Sequence, residues 1–239
     1  KYPNSPDWTL KGVSFTINPQ ENIALVGENG AGKTTTIKLL CGFYPPSKGR
    51  ILVNGHEISE YSAEKYTQSL GVLFQDFSEY PFTARESIGY GDISHLDNLK
   101  GIKQAAKQTD VHDFIQNLPL KYNNPLTKEF DKGIEPSKGQ WQRIALARTL
   151  FRKSQVIILD EPTSNVDPKA EEEIFAKIIE LTKQQILILI SHRFSTVRRA
   201  NKILVLDSGK ITEQGSHEHL MKLDGKYVHL FNLQAKSYQ

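Results

Sequence analysis

The chain has 239 residues, of which 38% are hydrophobic and 24% charged, with a formal net charge of +3. That length allows one large domain or two small ones, and the scattered basic residues, with no run of five, exclude the footprint of a nucleic-acid binder. One cysteine excludes an internal disulfide and fits a reducing compartment, and no stretch approaches the ~18 consecutive apolar residues of a membrane span.

The opening Lys1-Tyr2-Pro3-Asn4 is no signal peptide and carries no initiator methionine, so the chain is expected to be a soluble piece of something longer. Trp8 to Ile17 alternates as a strand, and Asn22–Val26 reads as a buried one. The residues that follow, Gly27-Glu28-Asn29-Gly30-Ala31-Gly32-Lys33-Thr34, fit G-x-x-x-x-G-K-[ST] at every fixed position. Thr35-Thr36-Ile37-Lys38-Leu39-Leu40 then reads as a helix, which completes the strand, glycine loop and helix that this motif requires. The glycines let successive backbone N–H groups curl round a polyphosphate, and the helix N-terminus adds its positive dipole end. Lys33 supplies a point charge to the outer phosphates, and the Thr34 hydroxyl can ligate Mg²⁺. A nucleoside triphosphate is the expected ligand. Cys41, in the apolar pattern Ile37-Leu40-Cys41, reads as a buried structural thiol.

Gly49–Gly55 is a short strand bounded by turn residues, and Leu70–Gln75 a further buried strand. From about Thr83 to Lys153, helical windows such as Lys100–Gln116 are separated by loops holding Pro119, Pro125 and Pro136. Val156–Leu159 and Ile186–Ile190 are buried strands; between them Pro168–Gln184 is an amphipathic helix with Ile174, Ile178 and Leu181 on one face. Strand–helix–strand repetition predicts an α/β fold, a mainly parallel sheet flanked by helices, with the helical stretch as an inserted lobe. Val156–Leu159 ends in Asp160-Glu161, at the end of a strand where open α/β sheets bind ligands. Asp160 is placed to hold Mg²⁺, often through water, and Glu161 to orient or deprotonate an attacking water.

Two segments make the likeness specific. Asp160-Glu161-Pro162-Thr163-Ser164-Asn165-Val166-Asp167 and Pro136-Ser137-Lys138-Gly139-Gln140-Trp141-Gln142-Arg143 together resemble the nucleotide-binding domain of the ATP-binding cassette (ABC) family, over essentially the whole chain. The resemblance implies ATP and Mg²⁺ as ligands and a P-loop core lobe at about 1–75 and 154–239. It also implies an N-terminal antiparallel β subdomain and a helical lobe at about 76–153. It puts Tyr2 on the adenine and Gly27, Glu28, Asn29, Gly30, Ala31, Gly32, Lys33, Thr34 and Thr35 on the phosphates, with Gln75 at the hinge between lobes. Thr34, Gln75 and Asp160 are then the metal ligands, and Glu161 and His192 the catalytic pair. The other histidines have no such context.

By the same resemblance Ser137, Lys138, Gly139 and Gln140 occupy the family's Leu-Ser-Gly-Gly-Gln signature, which acts in trans across a head-to-tail dimer of two cassettes, and Asp167 joins the two opposed sites. The signature departs from the pattern: Pro136 replaces the Leu and Lys138 the first Gly. Either the lysine side chain turns away and the site works, or one composite site is weakened and the partner is a different subunit.

Pro81–Ile88, Leu126–Gly133 and Gly209–Leu220 resemble exporter-type cassettes, and the Phe130 stretch and the Gln140-Trp141 pair are similar to bacterial peptide or lantibiotic exporters. This implies a transmembrane domain N-terminal to residue 1 and a place on the cytoplasmic face of the cell membrane. The expected function is the ATP-hydrolysing motor of an exporter. Two alternatives stay open: a catalytically weak regulatory half of a heterodimer, and a soluble cassette ATPase not coupled to transport.

Overall fold

The computed structural model describes residues 1–162 and 168–236. In chain order come β1 (Asn22–Val26), α1 (Lys33–Leu40), β2 (Leu52–Val53), β3 (His56–Glu57), α2 (Ala63–Gln68), β4 (Leu70–Leu73) and α3 (Ala84–Gly89). Next are α4 (Leu99–Gln108), α5 (His112–Gln116), α6 (Lys138–Phe151), β5 (Val156–Asp160), α7 (Pro168–Leu181) and β6 (Ile186–Ile190). α8 (Phe194–Val197), β7 (Lys202–Asp207), β8 (Lys210–Gly215), α9 (His217–Leu223) and α10 (Lys226–Lys236) follow. The fold is mixed α/β, with a mostly parallel sheet flanked by helices and a small antiparallel pair.

The chain divides into two compact units, Lys1–Leu70 with Lys183–Gln239, and Gly71–Thr182. In the first, β1 lies between β6 and β7 and pairs parallel with both, in register Ile23↔Ile188 and Ala24↔Ile203, while β8 pairs antiparallel with β7. Ile23 to Val26, Leu187 to Ile190 and Ile203 to Leu206 are buried without a break, as parallel strands covered on both faces demand. One core of this unit gathers Ala24, Val26, Val197, Val205, Leu220 and Tyr227. The β2–β3 pair closes through Asn54-Gly55, both with φ positive (51° and 84°), the backbone that a two-residue hairpin of this hand requires.

In the second unit β4 and β5 are neighbours, and α3, α4 and α6 enclose a core of Ile88, Ile102, Leu126, Trp141, Ile144 and Phe151. Three of its helices start on side-chain caps. Thr83 and Glu86 form a reciprocal capping box on α3, Ser137 and Gln140 another on α6, and the Asn98 side chain caps α4. Each such cap is worth about 1 kcal/mol, so these starts are specified locally.

Three expectations change. Trp8–Ile17 is not a strand: Val13, Phe15 and Ile17 are half-buried and Ser14 and Thr16 exposed, as the alternation requires, but no ladder forms. Alternation reports which face is covered; a strand needs a paired neighbour as well. The N-terminal antiparallel part is thus β2–β3 alone among the described residues. The Lys100–Gln116 window is broken between α4 and α5, where Asp110 takes φ 55°. On α7, Ile174 and Ile178 are buried together with Phe175, whereas Leu181 is exposed at the helix end.

Cys41 is buried as expected, and burial pushes its thiol up to about 12. The thiolate is the reactive species, so Cys41 is expected to stay silent towards thiol reagents in the native chain and to react once it is denatured. A colorimetric thiol titration with and without denaturant measures this directly.

Candidate nucleotide site

The glycine loop leaves β1 at Gly27, where φ is 153° and a Cβ would lie 2.2 Å from the backbone oxygen of Leu206. Only glycine brings the chain so close to β7 there. At the other end Gly32 (φ 109°) is the N-cap of α1, and a Cβ on it would strike the Leu10 side chain at 2.5 Å. Leu10 is held near by the Lys11 N–H, which donates to the Gly209 carbonyl at 2.7 Å, and the Gly209 N–H donates in turn to Ala31 at 3.1 Å.

Glu28, Asn29 and Gly30 form the exposed crest of the loop. Lys33 is buried beneath them, and its ammonium donates to the carbonyls of Gly27 (2.8 Å) and Glu28 (3.0 Å). A buried ammonium needs such partners, because desolvation without them costs several kcal/mol. The result is a positive charge gripped inside a ring of backbone. Thr34 is exposed at the second position of α1, and Thr36 ties its hydroxyl back to the Gly32 carbonyl at 3.0 Å. The Tyr2 hydroxyl lies 3.0 Å from the Thr35 hydroxyl, its ring edge-on to Tyr44 (5.4 Å between centroids) and 5.9 Å from the Lys38 ammonium. This places the N-terminal aromatic beside α1, although Tyr2 lies in no strand.

His192 is exposed two residues past β6. Its loop is shaped by Ser191, whose hydroxyl accepts from the Arg193 N–H at 2.9 Å. A recess of about 290 Å³ lies here, lined by Gly27 of the phosphate loop, His192 and Phe194, and by Leu230 and Gln234 of α10. Phosphate loop and histidine loop therefore share one wall within the first unit.

In the second unit, β5 ends in buried Asp160 and half-buried Glu161. Glu161 takes φ 49°, a conformation uncommon outside glycine, which turns the chain sharply as it leaves the strand. The Gln75 Nε2 donates to the Glu161 Oε2 at 2.9 Å, and the Gln142 Nε2 to the Glu161 carbonyl at 3.2 Å. Gln142 was not among the expected site residues; a polar residue among the mostly apolar buried positions of α6 was the available signal. Ser137 caps α6: its hydroxyl accepts from the Gln140 N–H at 3.3 Å, and the Gln140 Oε1 accepts from the Ser137 N–H at 2.8 Å. Lys138 is turned aside, its ammonium 2.8 Å from the Glu79 carboxylate. Nothing in the sequence marks Glu79 as its partner. Gly139 lies in the first turn of α6, and Asp167 falls outside the described residues.

Comparison with known proteins places these features in a family. The ABC transporter family model matches residues 10–164. The subtilin transport ATP-binding protein SpaT of Bacillus subtilis is 42% identical, across 92% of this chain and 36% of that protein. The nisin transport ATP-binding protein NisT of Lactococcus lactis subsp. lactis is 38% identical, across 96% of this chain and 38% of that protein. The chain thus spans well under half the length of these relatives. The solved structure of a bacterial Atm1-family ABC exporter with ATP bound matches with a TM-score of 0.90 at 34% identity, over 98% of this chain and 40% of that one. Sequence, loop and fold agree, and the chain belongs to the ABC transporter family as an ATP-binding ATPase domain of the exporter kind.

Proposed function

We propose that this chain is the ATP-hydrolysing motor domain of an exporter and works by pairing head-to-tail with a second nucleotide-binding domain when ATP is bound. The observation that carries the reading is the phosphate loop, with Lys33 buried at its centre and Gly27 pressed against Leu206. A polyphosphate fits such a cradle: backbone amides and one cation converge where a Cβ has no room. Thr34, Gln75 and Asp160 would hold Mg²⁺, all through the oxygen donors that this hard cation prefers. When bound, the ion would neutralise charge on the β- and γ-phosphate oxygens.

In this reading Lys33 and the loop amides bind the triphosphate, and Tyr2 stacks on the adenine. Glu161 orients the attacking water and accepts its proton, with Gln75 holding the carboxylate in place. His192 donates a hydrogen bond to the γ-phosphate as negative charge develops there. Positioning and electrostatics suffice, without a covalent intermediate. Ser137, Gly139 and Gln140 present the start of α6 to the nucleotide of the opposite cassette. The Lys138–Glu79 pair supports a working signature, because it draws the extra charge off the helix end. We take residues 1–239 as one nucleotide-binding domain, with a core lobe at about 1–75 and 154–239 and a helical lobe at about 76–153. Asp167 would couple the two opposed sites.

The partner transmembrane domain would belong to the same polypeptide, with this chain on the cytoplasmic face; among the described residues, no helix is long and apolar enough to cross a membrane. The test is the solution mass of the Glu161→Gln variant with and without Mg·ATP. Blocked hydrolysis should shift it from monomer to dimer, and Lys138→Gly in the same background should leave that shift unchanged. A chain that binds ATP yet stays monomeric would refute self-pairing and favour a heterodimer.

A further inference from the structure

α10 touches both nucleotide loops of its own unit. At its start, the Lys226 ammonium lies 2.8 Å from the Glu28 carboxylate at the crest of the phosphate loop and 3.6 Å from Asp207 at the end of β7. Two turns on, the Gln234 Oε1 accepts from the Phe194 N–H at 2.7 Å, and its Nε2 donates to the His192 carbonyl. Tyr227, Leu230, Phe231 and Gln234 follow i, i+3, i+4, i+7, so the amide ends an inward stripe. The stripe is seated by the Phe194 ring, edge-on to Tyr227 and Phe231 at 5.3 and 5.4 Å.

The backbone explains why an amide stands there. α8 has four residues, and its N-cap, Arg193, provides no side-chain cap. The first N–H groups of a helix have no partner within it, and Phe194 is the first residue of this one. The Gln234 amide satisfies that donor and, in the same plane, supplies a donor to the carbonyl of His192. A carboxylate would accept from Phe194 but face the His192 carbonyl with negative charge; a hydrocarbon of the same shape would do neither. Asn would fall one methylene short. The two bonds hold the peptides on either side of Arg193, and the first of these, which carries the His192 carbonyl, bears on the direction of the His192 Cα–Cβ bond.

We infer that Gln234 is a positioning residue for His192: through its side-chain amide, α10 holds the histidine loop in the geometry that the γ-phosphate contact needs. The inference rests on the role proposed above for His192. Asparagine and leucine variants at Gln234 test it on the full chain, alone and combined with His192→Ala. Hydrogen exchange of the Phe194 amide is readable whether or not the chain turns over; it should speed up about tenfold in Gln234→Leu, while exchange in β1 stays unchanged. Turnover of Mg·ATP should fall about tenfold in kcat with little change in KM, and the same substitution should have no further effect in the His192→Ala background. Unchanged Phe194 exchange overturns the clamp. An equal loss of kcat with and without His192 overturns its action through that residue. If His192→Ala itself leaves turnover intact, the proposed role of His192 fails, and the inference that Gln234 positions it for catalysis fails with it.

Discussion

Replacing Glu161 by Gln should lower ATP turnover by about 10²–10⁴-fold, the usual contribution of a general base, while ATP affinity changes little. The argument is geometric. The carboxylate accepts a hydrogen bond from the Gln75 amide at 2.9 Å, and an amide oxygen in its place accepts the same bond. The turn at φ 49° and the Gln142 contact to the Glu161 carbonyl involve only the backbone of residue 161, so the loop keeps its shape. What disappears is the charge that attracts the proton of the attacking water. Single-turnover phosphate release, beside an equilibrium titration of ATP, separates the two quantities. Turnover kept at the parental rate would remove Glu161 from the chemistry.

Lys33→Ala should weaken both ATP binding and turnover, turnover by about 10²–10³-fold, because the cation acts on phosphate oxygens in ground and transition states alike. The buried ammonium also ties the Gly27 and Glu28 carbonyls into one ring, so the loop loses its inner brace as well as its charge. Lys33→Arg should not rescue. The larger, planar guanidinium cannot fill a site shaped for a point charge, despite carrying the same charge. Calorimetric ATP titrations of both variants, with circular dichroism to show that the fold persists, check this. Binding that survives in Lys33→Ala would mean that the loop does not hold the triphosphate.

Much of the fold and the site could be read along the chain, and the reason is short range. The glycine loop, its flanking strand and helix, the Ser137–Gln140 capping box and the carboxylates closing β5 are each specified within a few residues. Backbone dihedrals, caps and apolar runs act at that distance. The uninterrupted apolar strands β1, β5 and β6 are legible for the same reason: a run buried on both faces tolerates nothing else. The misreadings fall where the partner lies elsewhere. Alternation from Trp8 to Ile17 correctly marks the covered face, yet says nothing of whether a neighbouring strand is there to pair. The break at Asp110 is different: it falls on Thr109-Asp110-Val111, residues of low helix propensity, a local signal that the apolar periodicity overrode.

Short-range chemistry was therefore enough to mark a phosphate-binding loop, and the likeness of two short segments enough to point to an ATP-binding cassette domain. The aim of particular side chains needed the folded chain. Lys138 turns onto Glu79, 59 positions away, and Gln234 reaches back 42 and 40 positions to His192 and Phe194. An ammonium or an amide takes the rotamer that satisfies its hydrogen bonds at least desolvation cost. That choice depends on which groups the tertiary structure brings within about 3 Å, and no spacing in the sequence encodes it.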